Sequence, residues 1–157
     1  MELRELMDQF AAALEIEDSK PDADGAYHFE IDGMPVSLLE VAETGELLTW
    51  ADVGELPSEG RERFCMELMK AMFMGEGTGG ATFSIARDSG RLCLHRVDAL
   101  AALDFDSFRT KFERFVNILE EWRTMLADFR EVAPEHAHES ATAESSRSLR
   151  LGGFIKV

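Results

Sequence analysis

Between Asp104 and Arg130 the chain sets Phe105, Phe108, Phe112, Phe115, Leu119, Trp122, Leu126 and Phe129 at alternating steps of three and four residues. A strand would scatter such a series over both faces, whereas an α-helix gathers it into a narrow apolar seam. The spacing predicts one long helix, and Val116, Ile118 and Met125 widen the seam until it needs more than one neighbour. Asp104 is placed to cap the first turn, Asp106 suits the positive helix end and Arg130 the negative one. A helix of about 27 residues is a rod of roughly 40 Å, longer than a domain of this size needs for its own core.

The preceding segments predict what lies against that rod. Residues 2–15 read as an amphipathic helix with Leu3, Leu6, Met7, Phe10, Ala13 and Leu14 on one side. It has no firm cap, so it persists only if it packs. A turn-rich stretch from Asp18 to Gly25 follows, and the period then changes to two. Tyr27, Phe29 and Ile31 alternate with His28, Glu30 and Asp32, and Asp32-Gly33 is the favoured pair for a tight hairpin, although Pro35 speaks against it. Met34, Val36 and Leu38 continue the alternation, while Leu39 and Val41 add apolar groups on the other face. A turn at Glu43-Thr44-Gly45 leads to a third strand over 46–52, which completes a three-stranded antiparallel meander.

Gly54 to Ser58 should break the sheet, and Ser58 should cap a second helix running to about Met74. That helix carries Phe64, Cys65, Met66, Leu68, Met69, Ala71, Met72, Phe73 and Met74, an apolar arc wider than one face. It needs cover on two sides, and the simplest second cover is another copy of the chain. Met34, Met66, Met69, Met72 and Met74 supply a compliant surface. Gly75 to Gly80 reads as a flexible loop that lacks the Lys-Ser/Thr ending and following helix of a phosphate cradle. Ala81–Arg87 and Arg91–Val97 form a hairpin around Asp88-Ser89-Gly90, with Phe83 and Ile85 facing Leu92 and Leu94. The fold class is α+β in the order α-β-β-β-α-β-β-α over residues 1–130, ending in the long helix. Glu131 to Ser148 loses the apolar period and reads as a linker or flexible tail. Leu149 to Val157 is apolar again, which suggests docking on a groove or strand edge.

A chain of 157 residues is expected to form one domain with a proper core, and 45% hydrophobic with 30% charged residues describes a globular protein. No apolar run approaches the ~20 residues of a membrane span, and the acidic start lacks the pattern of a secretion signal, so a cytosolic location is expected. Thirty-one acidic against sixteen basic residues give a net charge of −15. Residues 131–157 hold four acids and three bases, net −1, so −14 belongs to residues 1–130. A field of that sign repels phosphate backbones and anionic membranes, which speaks against nucleic acid and membrane as partners.

Three places in the sequence bring together groups that could carry chemistry. Cys93 and His95 share a strand face with Arg91, but no third group or oxyanion site accompanies them. His136 and His138, between Glu135 and Glu139, lack a rigid frame for a metal. Cys65 and Cys93 fall in no metal or redox spacing and are expected to be reduced and buried. No catalytic residue, metal or cofactor is expected, and the pattern is that of a binding protein, not an enzyme.

The acidic opening helix Glu2–Glu15, the strand Tyr27–Ile31, the Phe83–Ile85/Leu92–Leu94 hairpin and the closing Phe/Leu helix together resemble the class I chaperones of type III secretion systems, the family of the Tir and Yersinia effector chaperones. The resemblance covers Met1 to Arg130 and leaves the tail unexplained. It implies a homodimer joined through Phe64, Met66, Leu68, Met69, Met72 and Phe73, helped by Phe83 and Ile85 of the hairpin. It further implies a virulence role in the bacterial cytoplasm, binding the N-terminal segment of a secreted effector in extended form without ATP. An open strand edge at Tyr27–Asp32 suits an added strand, with Leu3, Leu6, Phe10, Tyr27, Phe29, Ile31, Val36, Leu38 and Trp50 as the cargo-binding side chains. The competing reading uses the same surfaces: an acidic dimeric anti-activator that sequesters a regulatory protein.

Overall fold

The computed structural model describes residues 2–16 and 20–143, with side chains through Glu131. In chain order it contains α1 (Leu3–Ala13), β1 (Tyr27–Ile31), β2 (Met34–Val41), β3 (Glu46–Glu55), α2 (Arg61–Met72), β4 (Thr82–Ile85), β5 (Arg91–Ala99) and α3 (Phe105–Ala143), with single 3-10 turns at Phe73–Gly75 and Leu100–Ala102. The five strands form one antiparallel sheet in the order β1-β2-β3-β5-β4. The fold class is therefore the α+β order read from the sequence.

Local chemistry explains most of the boundaries. Asp32 and Gly33 both take positive φ, 51° and 75°, which makes the two-residue turn whose twist matches the strands. In such a hairpin Ile31/Met34, Phe29/Val36 and Tyr27/Leu38 are the pairs that exchange hydrogen bonds, so Pro35 opposite Glu30 owes no donor to β1. On its other side, pairing with β3 starts only at Val36 opposite Ala51. Pro35 is thus tolerated because both ladders bypass its missing N–H. At α3, Asp104 Oδ1 accepts from the Ser107 amide at 2.8 Å while Ser107 Oγ accepts from the Asp104 amide at 3.1 Å, a reciprocal cap. These bonds from the Ser107 side chain and amide hold the Asp104 carboxyl below the usual carboxylate range.

Four features differ from the sequence reading, three of them because of tertiary contacts. β3 runs through Gly54 to Glu55, with a bulge between Asp52 and Gly54. Gly54 has φ 147°, and a Cβ there would stand 2.8 Å from Leu126 Cδ2, so glycine lets the strand pass beneath α3. α2 starts at Gly60 rather than Ser58: Gly60 has φ 64°, and a Cβ would meet the Phe129 ring at 3.1 Å. The glycine loop 75–80 is anchored, not loose. Trp122 Nε1 donates to the Gly77 carbonyl at 3.3 Å, Arg96 Nη1 donates to the Gly79 carbonyl at 3.1 Å, and Thr78 is buried. Finally, α3 does not stop at Arg130 but continues to Ala143 through the stretch read as a linker. Leu149–Val157 lies outside the described residues.

One core joins α1, the inner face of the sheet, α2 and α3. Phe10 lies at its centre, edge-on to Phe29, Phe108 and Phe112 at centroid distances of 5.2, 5.1 and 4.7 Å. Phe64 packs on Trp122 and Phe129, and Phe83 on Trp122, which fixes α2 and β4 to the middle of α3. A second tie lies at the end of β5. Burial alone would raise the Asp98 carboxyl, but hydrogen bonds from Arg96 at 2.7 Å and Lys111 at 2.7 Å overcome it and hold the group below the usual range. Both cysteines are unpaired and half-buried, less enclosed than expected. Among the described residues no helix is long and apolar enough to cross a membrane.

Candidate binding site

The sheet has two edges, β1 and β4. Along β1 the hydrogen-bonded pairs with β2 are those of Tyr27, Phe29 and Ile31, so the main-chain groups of His28 and Glu30 face outward. Ala26, next in that series, is already engaged: its amide donates to Asp22 Oδ1 at 2.9 Å and its carbonyl accepts from the Asp22 amide at 2.8 Å. The His28 ring stands 2.8 Å from both Asp22 Oδ2 and Ser37 Oγ, which draws the preceding loop onto the outer face of the sheet. The His28 ring and the Ala26 amide hold the Asp22 carboxyl below its ordinary range.

Beside the end of this strand lies an open groove of about 530 Å³ between α1, β1 and α3. Its floor is Phe10, Phe112 and Val116, its walls include Leu14 and Ile31, and its rim carries Asp32, Arg109, Glu113 and Asn117. Leu14 and Ile16, at the exit of α1, are 41% and 36% exposed. An extended segment laid along β1 would bond to His28 and Glu30 and hang alternate side chains toward this groove.

The structure divides the residues singled out for cargo. Leu3, Leu6, Phe10, Tyr27, Phe29, Val36 and Leu38 are buried in the core, where α1 and the inner face of the sheet cover each other. Phe10 reaches the groove floor with its edge, and the other six build the frame behind it. Ile31 is partly exposed on the groove wall. Trp50 is also partly exposed but faces the opposite side of the sheet, across from Ser37 and His95. Leu14, Phe112 and Val116 also line the groove and were missed as site residues, Leu14 and Phe112 because they read as ordinary seam positions and Val116 because it only widens another seam.

The residues singled out for self-association divide in the same way. Phe64, Leu68 and Phe83 are interior, packed on α3 or the sheet. Met72 is half-buried, its sulfur 3.3 Å from the Phe83 amide at the β4 edge. Met66, Met69 and Phe73 are 50%, 64% and 70% exposed at positions i, i+3 and i+7, and Met74 and Ile85 extend the patch. A run of large apolar side chains in water is what a buried interface leaves behind in a separated protomer. The Cys93 thiol is pushed up by burial and by Asp52, which outweigh the opposite pull of Arg91, itself paired with Asp52 at 2.5 Å and Glu55 at 3.3 Å.

This frame is that of secretion-chaperone structures. The chain shares 22% identity with a chain of the ExsC–ExsE complex at a TM-score of 0.67, covering 80% of this chain and 97% of that one. It shares 17% with a chain of the HopA1–SchA chaperone–effector complex, TM-score 0.64, over 77% and 92%. For the Yersinia pestis type III secretion chaperone SycH with a fragment of YscM2 the values are 16%, 0.60, 75% and 97%. No curated protein matches the chain. The chain belongs to the Tir chaperone protein (CesT) family, whose model matches residues 5–123.

Proposed function

We infer that the chain is a cytoplasmic, homodimeric chaperone that holds the N-terminal segment of a type III secreted effector in extended form. The observation that carries this reading is the open β1 edge, with His28 and Glu30 facing outward beside an apolar groove. Main-chain bonding at the edge is indifferent to sequence, and the groove adds selectivity through alternate side chains. Binding an unfolded segment lowers its free concentration by mass action, so no ATP and no catalytic group is required. Copies associate through Met66, Met69, Phe73, Met74 and Ile85, which supply the second cover that α2 lacks. The surplus of negative charge keeps both apolar surfaces dispersed in water.

Co-expression tests the reading. An effector encoded beside this chain should move from the insoluble to the soluble fraction when the chain is present, and the pair should purify together through the effector's N-terminal segment. Retention of a DNA-binding regulator, with no gain in effector solubility, would favour the anti-activator reading instead.

A further inference from the structure

The last residues of the sequence carry a chemistry opposite to the rest. Residues 145–157 contain Arg147, Arg150 and Lys156 and no acid, a net of +3. Residues 1–144 hold the remaining thirteen bases against all thirty-one acids, a net of −18. The same stretch is apolar between its charges, with Leu149, Leu151, Phe154, Ile155 and Val157. A basic, apolar, glycine-interrupted segment matches the groove beside β1, whose floor is apolar and whose rim carries two acids, Asp32 and Glu113, against one base, Arg109, with Glu30 on the adjoining edge.

We propose that residues 147–157 of one copy occupy this groove and strand edge on another copy, capping them until an incoming polypeptide displaces the segment. Geometry decides between the copies. α3 is one continuous helix to Ala143, and at about 1.5 Å per residue its end lies about 45 Å beyond Glu113. Fully stretched from there, the chain brings Phe154 back by no more than about 40 Å. Only the last few residues, drawn fully straight, regain their own groove at Asn117, about 39 Å back from Ala143, so seating residues 149–154 along it takes a groove on a neighbour. The attraction is between exposed charges, so it weakens as salt shortens the screening length. This inference rests on the groove being the polypeptide-binding site, but its test uses no cargo, so either can fail without the other.

The test places a photo-crosslinking phenylalanine analogue at position 154 of the full chain and irradiates a mixture of light and heavy isotope-labelled protein. The expected products join position 154 to residues 10–16, 31–32 or 109–117, with mixed light–heavy pairs present. A synthetic peptide of residues 145–157 should suppress them, and a scrambled peptide of the same composition should not. Leu14→Asp and Glu113→Lys, both at exposed positions, should each lower the yield at least tenfold while leaving the circular dichroism unchanged. Products within one chain only, products mapping elsewhere, no product, or equal suppression by the scrambled peptide would each overturn the proposal.

Discussion

Replacing Phe10 with alanine is expected to destabilise the fold by about 3–5 kcal/mol, in the range for a buried aromatic whose cavity cannot collapse. Phe10 is 4% exposed and meets three other rings edge-on, one from β1 and two from α3. Its loss removes the apolar contact and leaves Phe29, Phe108 and Phe112 facing a void that no single side chain can fill. Against a typical net stability of about 5–15 kcal/mol this is a large share, and Tm should fall by roughly 10 °C or more. Phe10→Leu should cost far less, within about 1.5 kcal/mol, because it keeps most of the volume. Denaturant unfolding of the two variants checks both values. A Phe10→Ala protein as stable as the parent would mean that α1 does not close the core as described.

Replacing Met69 with aspartate is expected to dissociate the proposed dimer while leaving the protomer folded. Met69 is 64% exposed, so the substitution does not touch the core. Placed in an interface between two copies, an unpaired carboxylate costs about 2 kcal/mol, and a two-fold interface counts it twice. The dissociation constant should then rise about a thousandfold. Light scattering after size exclusion should give twice the chain's mass for the parent and the single-chain mass for the variant. Unfolding curves extrapolated to low protein concentration should nearly coincide. Replacing Phe64 or Leu68 instead should unfold the protein, since those side chains are interior. An unchanged dimer in Met69→Asp would remove the α2 face from the account.

Much of this architecture is legible in the sequence because it is local. The three-four spacing from Phe105 to Phe129, the Asp104 cap, the Asp32-Gly33 turn and the pairing of Phe83 with Leu94 and Ile85 with Leu92 each follow from residues near one another. What stayed hidden depends on which faces meet. The apolar period of α1 and β1 marks a face that avoids water, and that mark is the same whether the face meets cargo or the protein's own helix. Leu3, Leu6, Phe29, Val36 and Leu38 therefore look like a groove in the sequence and are a core in the fold. Phe64 and Phe83 followed the same course, since the aromatic positions of α3 that claim them are distant in sequence. The start of α2 depended on Gly60 lying under Phe129, a contact with no local signature. Adjacency of β3 and β5 across α2 is likewise a property of the assembled sheet.

The account depends on β1 being an edge that another polypeptide completes, and amide hydrogen exchange at His28 and Glu30 tests this most directly. These two amides face away from β2, whereas those of Phe29 and Ile31 face toward it. With the N-terminal segment of the co-encoded secreted protein bound, exchange at His28 and Glu30 should slow at least tenfold, while Phe29 and Ile31 change little. A tight complex in which His28 and Glu30 exchange as fast as in the free protein would contradict it.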